Sequence, residues 1–376
     1  MILKNALVMD ENFGLKELDI RIENEKIAEI GTGLAGDETL DFSGKYILPG
    51  FVDTHIHGAN GIRIEDAVGD HNKMTVFEAS QGVTSIAIAA DTAEFSDILD
   101  QIERATVLSQ KCRGAKIVAI HAEGPFLSQS KKGARDSRYI LKPDSEKLDK
   151  MIEAGKGMLK LITIAPDNEG SIEFIRYAKS KGLVVSMGHT DSDYETATAA
   201  IDAGATQLTH TFNAMRPINH REPGILGAVF ENDDVKCEVI CDYIHLHPAI
   251  IKMIYKIKGA DKINMISDSG TAAGLDISEF EVNGVKRYIK DGVVRLADGT
   301  IAGSARTLLD GVKNLVSSGI PLEDVSKMAS LNPAKTLGID DETGSIAVGK
   351  LADLVVLDKD LNVCETFING KSEYKR

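Results

Sequence analysis

Between residues 50 and about 340, eight short apolar runs alternate with stretches of helical period. No other feature restricts the fold as strongly. The runs are Phe51–His55, Val83–Ala87, Lys116–Glu123, Leu159–Ile164, Val184–His189, Gln207–His210, Lys236–Cys241 and Lys262–Asp268. Helices are expected between them over Met74–Gln81, Glu94–Gln110, Lys147–Ala154, Ser171–Lys181, Tyr194–Ala203 and Pro248–Lys258. This alternation makes βαβ units, and eight strands over roughly 290 residues describe an α/β fold, a (β/α)8 TIM-type barrel. A doubly wound sheet is the competing architecture. It usually carries a Gly-rich phosphate loop after its first strand, whereas here the first strand runs into His55-Ile56-His57-Gly58.

The two ends have a different texture. Met1–Met9, Gly14–Ile22, Lys26–Ile30 and Leu40–Leu48 read as short strands broken by turns, and the tail from Gly344 to Gly370 repeats the pattern. Neither end is long enough for a core of its own. They are expected to pair into a small composite β-sandwich domain of residues 1–49 plus 343–376, beside a barrel of residues 50–342.

The strand ends carry the chemistry. His-Ala-Glu-Gly-Pro (121–125) closes the third run, and a carboxylate at the mouth of a buried strand is costly unless paired, hydrogen-bonded or bound to a metal. His55 and His57, Glu123, His189, His210 and Asp268 stand at successive strand ends, which a closed barrel brings to one opening. His55 and His57 straddle one residue, so a strand points both to one face. Imidazoles and carboxylates converging there suit a borderline divalent metal such as Zn, Fe or Co. Asp268 can accept a proton from an attacking water and return it to a leaving group, or serve as a further metal ligand.

Several functions are excluded by composition. The net charge is −14 with no basic run, which argues against nucleic-acid binding. No apolar run approaches the ~18 residues of a membrane span, and the start Met1-Ile2-Leu3-Lys4 has no leader pattern. Cys112, Cys237, Cys241 and Cys364 are scattered, as reduced thiols of a cytoplasmic protein would be. No Gly-x-Ser-x-Gly elbow is present, and no cysteine lies in a nucleophile context.

The order His-x-His, Glu, His, His, Asp is similar to that of the amidohydrolase superfamily. Within it, HAEGPF (121–126), KKGA (131–134), GHT (188–190), HTFNAM (210–215), REPG (221–224) and SDS (267–269) resemble the N-acetylglucosamine-6-phosphate deacetylase family. The likeness covers essentially the whole chain, including NPAKTLG (332–338) and GSIAVGKLADLVVLD (344–358).

This resemblance implies hydrolysis of N-acetyl-D-glucosamine 6-phosphate to D-glucosamine 6-phosphate and acetate. Glu123, His189 and His210 match the principal metal ligands, and Asp268 the general base and acid. His55 and His57 imply room for a second metal, so one or two ions per subunit, bridged by Glu123 when two are bound; Zn or Fe come first, with Co, Mn and Ni also possible. His245 matches a residue that holds the substrate and helps polarise the acetyl carbonyl. Asn213 and Ala214 match a loop that holds the sugar phosphate. Ala302 and Gly303 match the lining of the acetyl pocket. Arg221 matches an arginine that reaches the phosphate across a subunit boundary, which makes a homodimer the expected partner. His247 is expected to open a helix before Pro248, His121 to pack behind the site, and His71 and His220 to stand apart from the chemistry.

There is one departure. Where the family usually has a histidine after KKGA, this chain has Arg135, followed by Asp136. An arginine is permanently charged and donates only. It is expected to contact the phosphate, to pair with Asp136, or to change which N-acyl sugar fits. Two rivals remain. One is a deacylase or cyclic-amide hydrolase of the same superfamily acting on another N-acyl sugar phosphate or N-acyl amino acid; such enzymes usually have a bridging lysine where this chain has Glu123. The other is a non-catalytic barrel that only binds.

Overall fold

The computed structural model describes residues 1–282, 284–290 and 292–376. Strands β1 (Ile2–Met9), β2 (Leu15–Glu23), β3 (Lys26–Gly31), β4 (Thr39–Asp41) and β5 (Tyr46–Pro49) form the N-terminal part. Strand β6 (Phe51–Ile56) opens the barrel, followed by a small ribbon of β7 (Gly58–Ala59) and β8 (Ile62–Arg63). The remaining barrel strands are β9 (Val83–Asp91), β10 (Lys116–Glu123), β11 (Leu159–Ile164), β12 (Val184–Met187), β13 (Gln207–Leu208), β14 (Lys236–Ile240) and β15 (Ile263–Ile266). Helices α1 (Asn72–Ser80), α2 (Phe95–Leu108), α3 (Ser145–Gly155), α4 (Ser171–Ser180), α5 (Tyr194–Ala203), α6 (Gly224–Glu231) and α7 (Pro248–Lys258) alternate with them.

The barrel strands pair in parallel in the order β15-β14-β13-β12-β11-β10-β9-β6. They are buried on both faces, which is why β9 reads as a near-continuous run of small and apolar residues rather than an alternating one, while β6 buries Asp53, Thr54 and His55 as well as its apolar residues. The ring closes between β15 and β6 just past the end of β15. There the Asp268 amide donates to the His55 carbonyl (3.0 Å) and the His57 amide to the Ser269 carbonyl (2.9 Å). The buried Asp53 carboxylate staples the same seam, accepting from the Ser267 amide (3.2 Å) and the His55 amide (3.1 Å). His247 caps α7 as expected: its ring accepts from the Ala249 amide (3.1 Å) and Pro248 follows, where a missing N–H costs nothing.

Between Asp268 and the tail the sequence pattern places no strand or helix, only Ala302 and Gly303 at the acetyl pocket and the NPAKTLG segment (332–338). The structure instead inserts an antiparallel sheet, β16 (Glu279–Val282), β17 (Val285–Lys290), β18 (Val293–Arg295) and β19 (Ile301–Ser304), over the barrel mouth. The sequence carries a signal for it: the dipeptides at 283–284, 291–292 and 298–299 are Asn-Gly, Asp-Gly and Asp-Gly, which favour hairpin turns. Helices α8 (Leu308–Ser317), α9 (Leu322–Ala329) and α10 (Leu331–Leu337) complete the ring, with Thr307 and Asp310 forming a capping box on α8.

The tail strands β20 (Leu354–Leu357), β21 (Val363–Ile368) and β22 (Lys371–Lys375) join the N-terminal strands in one sheet of order β22-β21-β20-β5-β1-β2-β3, with β4 also on β1. Leu3, Val8, Ile20, Ile47, Leu354, Val356 and Phe367 build its separate core. Asp353 ties this unit to the barrel: it pairs with Lys116 of β10 (2.6 Å) and accepts from Thr343 and Asn369. We propose residues 1–49 plus 343–376 and 50–342 as the two domains.

Candidate functional site

Glu123 ends β10 with both carboxylate oxygens inside the barrel mouth, and each oxygen faces a different pair of imidazoles. Oε1 lies 3.2 Å from His189 Nε2 and 3.0 Å from His210 Nε2, and those nitrogens are 3.0 Å apart. Oε2 lies 3.3 Å from His55 Nε2 and 3.0 Å from His57 Nε2. Asp268 Oδ1 closes that second set at 3.6 Å and 3.4 Å from the same nitrogens.

Backbone conformation aims these side chains. His189, His210 and Asp268 follow their strands at φ of +46°, +28° and +48°. Left-handed backbone is costly for residues with a Cβ, by about 1–3 kcal/mol each, and is retained where the surroundings impose it. At each of these positions the chain turns off the strand and directs the side chain over the barrel axis. Gly188 permits the turn at His189, because a Cβ there would lie 2.7 Å from the Thr209 Cβ.

A second layer orients the imidazoles. His189 Nδ1 is 2.7 Å from the Lys131 carbonyl, which only accepts; the proton is therefore on Nδ1 and the Nε2 lone pair faces the centre. Glu238 of β14 takes His55 Nδ1 (3.2 Å), the Gln207 amide side chain (2.8 Å) and the His210 amide (3.4 Å). His121 lies behind them, with Nδ1 3.3 Å from the Thr54 carbonyl and Nε2 2.8 Å from Thr163 Oγ1, which joins Thr209 and Ser186 in a buried polar layer. Burial, helped by His55, pushes the His121 pKa down to about 4, so its ring is neutral.

These residues fit a metal. The 3.0–3.2 Å separations among Glu123 Oε1, His189 Nε2 and His210 Nε2 are near the about 3.3 Å edge of a tetrahedron with metal–ligand bonds of about 2.0–2.1 Å. Burial works against a charge on His57, yet the Asp268 and Glu123 carboxylates raise it to about 9. Burial likewise opposes, and the same carboxylates override, at His55, which is raised well above its ordinary value. A field that favours a proton on two buried imidazoles favours a cation.

Arg135 does not pair with Asp136, which instead holds Arg138 (2.6 Å). Its guanidinium turns inward: it contacts the Glu123 carboxylate, lies 2.8 Å from His189 Nε2, and its Nε is 2.9 Å from Asp91 Oδ1. Arg135 thus works among the candidate metal ligands themselves, because three acceptors outcompete one exposed carboxylate. Asp91 was missed in the sequence, although the apolar run through Ala90 ends on it in the same pattern as the other site residues. Arg63, Glu238, Asp53 and Arg287 are further residues of the site or its support that carried no motif.

A cavity of about 900 Å³ opens above the centre. Asn213, Ala214, His245, Ala302 and Gly303 line it. His245 is oriented by Asp242, whose carboxylate takes Nδ1 (2.7 Å) and the His245 amide (2.9 Å). Burial opposes a charge on His245, but the Asp242 hydrogen bond raises its pKa overall. Arg221 is exposed and is not among the lining residues of its own chain. His71 is buried at the start of α1 and His220 is exposed; neither lines the cavity.

The amidohydrolase family model matches residues 46–372. The chain is 33% identical to the N-acetylglucosamine-6-phosphate deacetylase of Lysinibacillus sphaericus over 99% of its length and 97% of that protein. It is 31% identical to the N-acetylgalactosamine-6-phosphate deacetylase of Escherichia coli O157:H7 over 98% of each. Among solved structures, an alanine mutant of the Mycobacterium smegmatis N-acetyl-D-glucosamine-6-phosphate deacetylase in complex with N-acetyl-D-glucosamine 6-phosphate superposes with a TM-score of 0.94. It is 32% identical over 100% of this chain and 99% of that one.

Proposed function

The chain belongs to the amidohydrolase family, and on that premise we propose that it hydrolyses N-acetyl-D-glucosamine 6-phosphate to D-glucosamine 6-phosphate and acetate. One observation carries the reading: Glu123 presents one oxygen to His189 and His210 and the other to His55 and His57, with Asp268 beside the second pair. Glu123, His189 and His210 would hold one divalent ion, and His55, His57 and Asp268 a second; Zn or Fe suits these N and O donors. When bound, the metal supplies Lewis-acid charge that acidifies water and polarises a carbonyl.

The chain's own groups do the rest. Asp268, held well below the usual carboxylate range by His55 and His57 in spite of its burial, is ionised and ready to accept. It takes a proton from the attacking water as the C–O bond forms, then delivers that proton to the sugar nitrogen as the C–N bond breaks. His245, with Nδ1 held by Asp242, has Nε2 free to donate to the acetyl oxygen as negative charge develops there. Asn213 and Ala214 hold the sugar phosphate, Ala302 and Gly303 the acetyl group, and Arg221 extends to the neighbouring subunit of a homodimer. No described helix is long and apolar enough to cross a membrane; a cytoplasmic enzyme of amino-sugar breakdown suits the substrate.

The E. coli relative is named for the galacto epimer, so the test compares epimers. Acetate release would be measured from N-acetylglucosamine 6-phosphate, N-acetylgalactosamine 6-phosphate and unphosphorylated N-acetylglucosamine, with metal content on the same sample. Fastest turnover of the first supports the reading; metal with no turnover of any of the three overturns it.

A further inference from the structure

Among the described residues, Arg287 is the one guanidinium lining the cavity that has no carboxylate partner. It lies on β17 of the inserted sheet, opposite Phe280 of β16, and lines the same cavity as His57, Glu123 and Asp268. The other lining guanidinium groups are each neutralised by carboxylates. Arg63 donates to Glu65 (2.9 Å) and lies 3.5 Å from Asp91. Arg135 holds Glu123 and Asp91, and Arg138 holds Asp136. Among the described residues no carboxylate pairs with Arg287: one N–H reaches the Ala302 carbonyl (3.2 Å), and its buried Nε has no acceptor.

A guanidinium partly withdrawn from water without a counter-ion is costly. Here burial, with Arg63 second, depresses the pKa to about 10. The neighbouring cavity wall is apolar, with Val282, Val285, Leu296 and Ile301. An apolar wall strengthens any charge-assisted hydrogen bond made inside it. Position adds the last constraint. Arg287 is bonded to Ala302, and two residues on, the Ser304 amide donates to the Asp268 carbonyl (3.1 Å), so Arg287 is tied to the strand that flanks the reacting carboxylate.

We infer that Arg287 is an oxyanion-binding residue of the cavity, taking a phosphate or carboxylate group of the bound molecule through its unused N–H donors. Its planar fork suits either group. Two sources of such an anion follow from the proposed reaction, on which this inference rests: the phosphate of the substrate and the carboxylate of the released acetate.

The experiment uses the metal-loaded enzyme and Arg287→Met and Arg287→Lys. Inhibition constants for inorganic phosphate and for acetate are measured, with kcat/KM on N-acetylglucosamine 6-phosphate and on its unphosphorylated form. Losing a hydrogen bond to a charged group changes affinity by roughly 10- to 100-fold. Weakened phosphate inhibition with a matching fall in the preference for the phosphorylated sugar assigns Arg287 to the phosphate. Weakened acetate inhibition with that preference intact assigns it to the carboxylate. Constants for both anions within twofold of wild type overturn the inference. Arg287→Lys keeps the charge without the fork and is expected to weaken binding severalfold, so it decides the matter if the methionine variant does not fold. Calorimetric titration of both anions needs no turnover, so a failure of the proposed activity is distinguishable from a failure of this assignment.

Discussion

Replacing Asp53 with alanine tests how the barrel closes beneath the site. Asp53 is fully buried, accepts from the amides of His55 (3.1 Å) and Ser267 (3.2 Å), and so joins the first barrel strand to the segment that carries Asp268. Burial lifts its pKa to about 6, so at neutral pH both oxygens act as acceptors. Alanine leaves two buried N–H groups without partners, and each orphan costs about 1–3 kcal/mol, for a loss of about 2–6 kcal/mol. With an unfolding entropy of about 2.1 cal/mol/K per residue, a chain of this length loses roughly 3–8 °C of Tm. Asparagine keeps one acceptor oxygen and should lose about half as much. Thermal unfolding gives the first readout. Metal content and the ratio of kcat to KM give the second, because the staple sets His55 and His57 against Asp268; kcat should fall more than KM changes. A Tm within 1 °C of wild type, with normal metal content, would refute the idea that this carboxylate holds the seam.

Three further outcomes follow from the geometry. Asp268→Asn should lower kcat by about 10²–10⁴-fold while Glu123, His189 and His210 retain metal; a loss below tenfold would remove Asp268 from proton transfer. His121 has a folded pKa of about 4 against about 6.5 unfolded, so its contribution is full above pH 6.5 and is lost as pH falls toward 4. The difference in stability between wild type and His121→Gln should therefore shrink by up to about 3 kcal/mol across that window, measured by melting at several pH values. Arg135→Met removes a cation that touches Glu123 and His189. Two like charges about 4 Å apart repel by about 4 kcal/mol at an effective dielectric of 20, and a third of that is tenfold in affinity. Divalent-metal affinity by chelator competition should rise at least tenfold, and an unchanged affinity would show that Arg135 and the metal do not compete.

Much of this protein was legible because its constraints are local and periodic. A parallel barrel strand is buried on both faces and must read as an apolar run, so β10, β11, α5 and α7 fall where the pattern placed them. Strand ends converge in any closed barrel, so His55, His57, Glu123, His189, His210 and Asp268 could be grouped before their distances were known. What only the tertiary structure decided was partner choice among charges. Nothing near Arg135 in sequence says that it will prefer Glu123, His189 and Asp91 to the adjacent Asp136, because those acceptors come from three other strand ends. Asp53 reads as one more polar residue in a strand until β6 meets the segment after β15. Arg287 reads as a surface residue of an alternating hairpin until the sheet folds over the barrel mouth and half-buries it against the cavity. Periodicity specifies which face a residue occupies; the partner it finds there depends on chain segments that only closure of the barrel brings together.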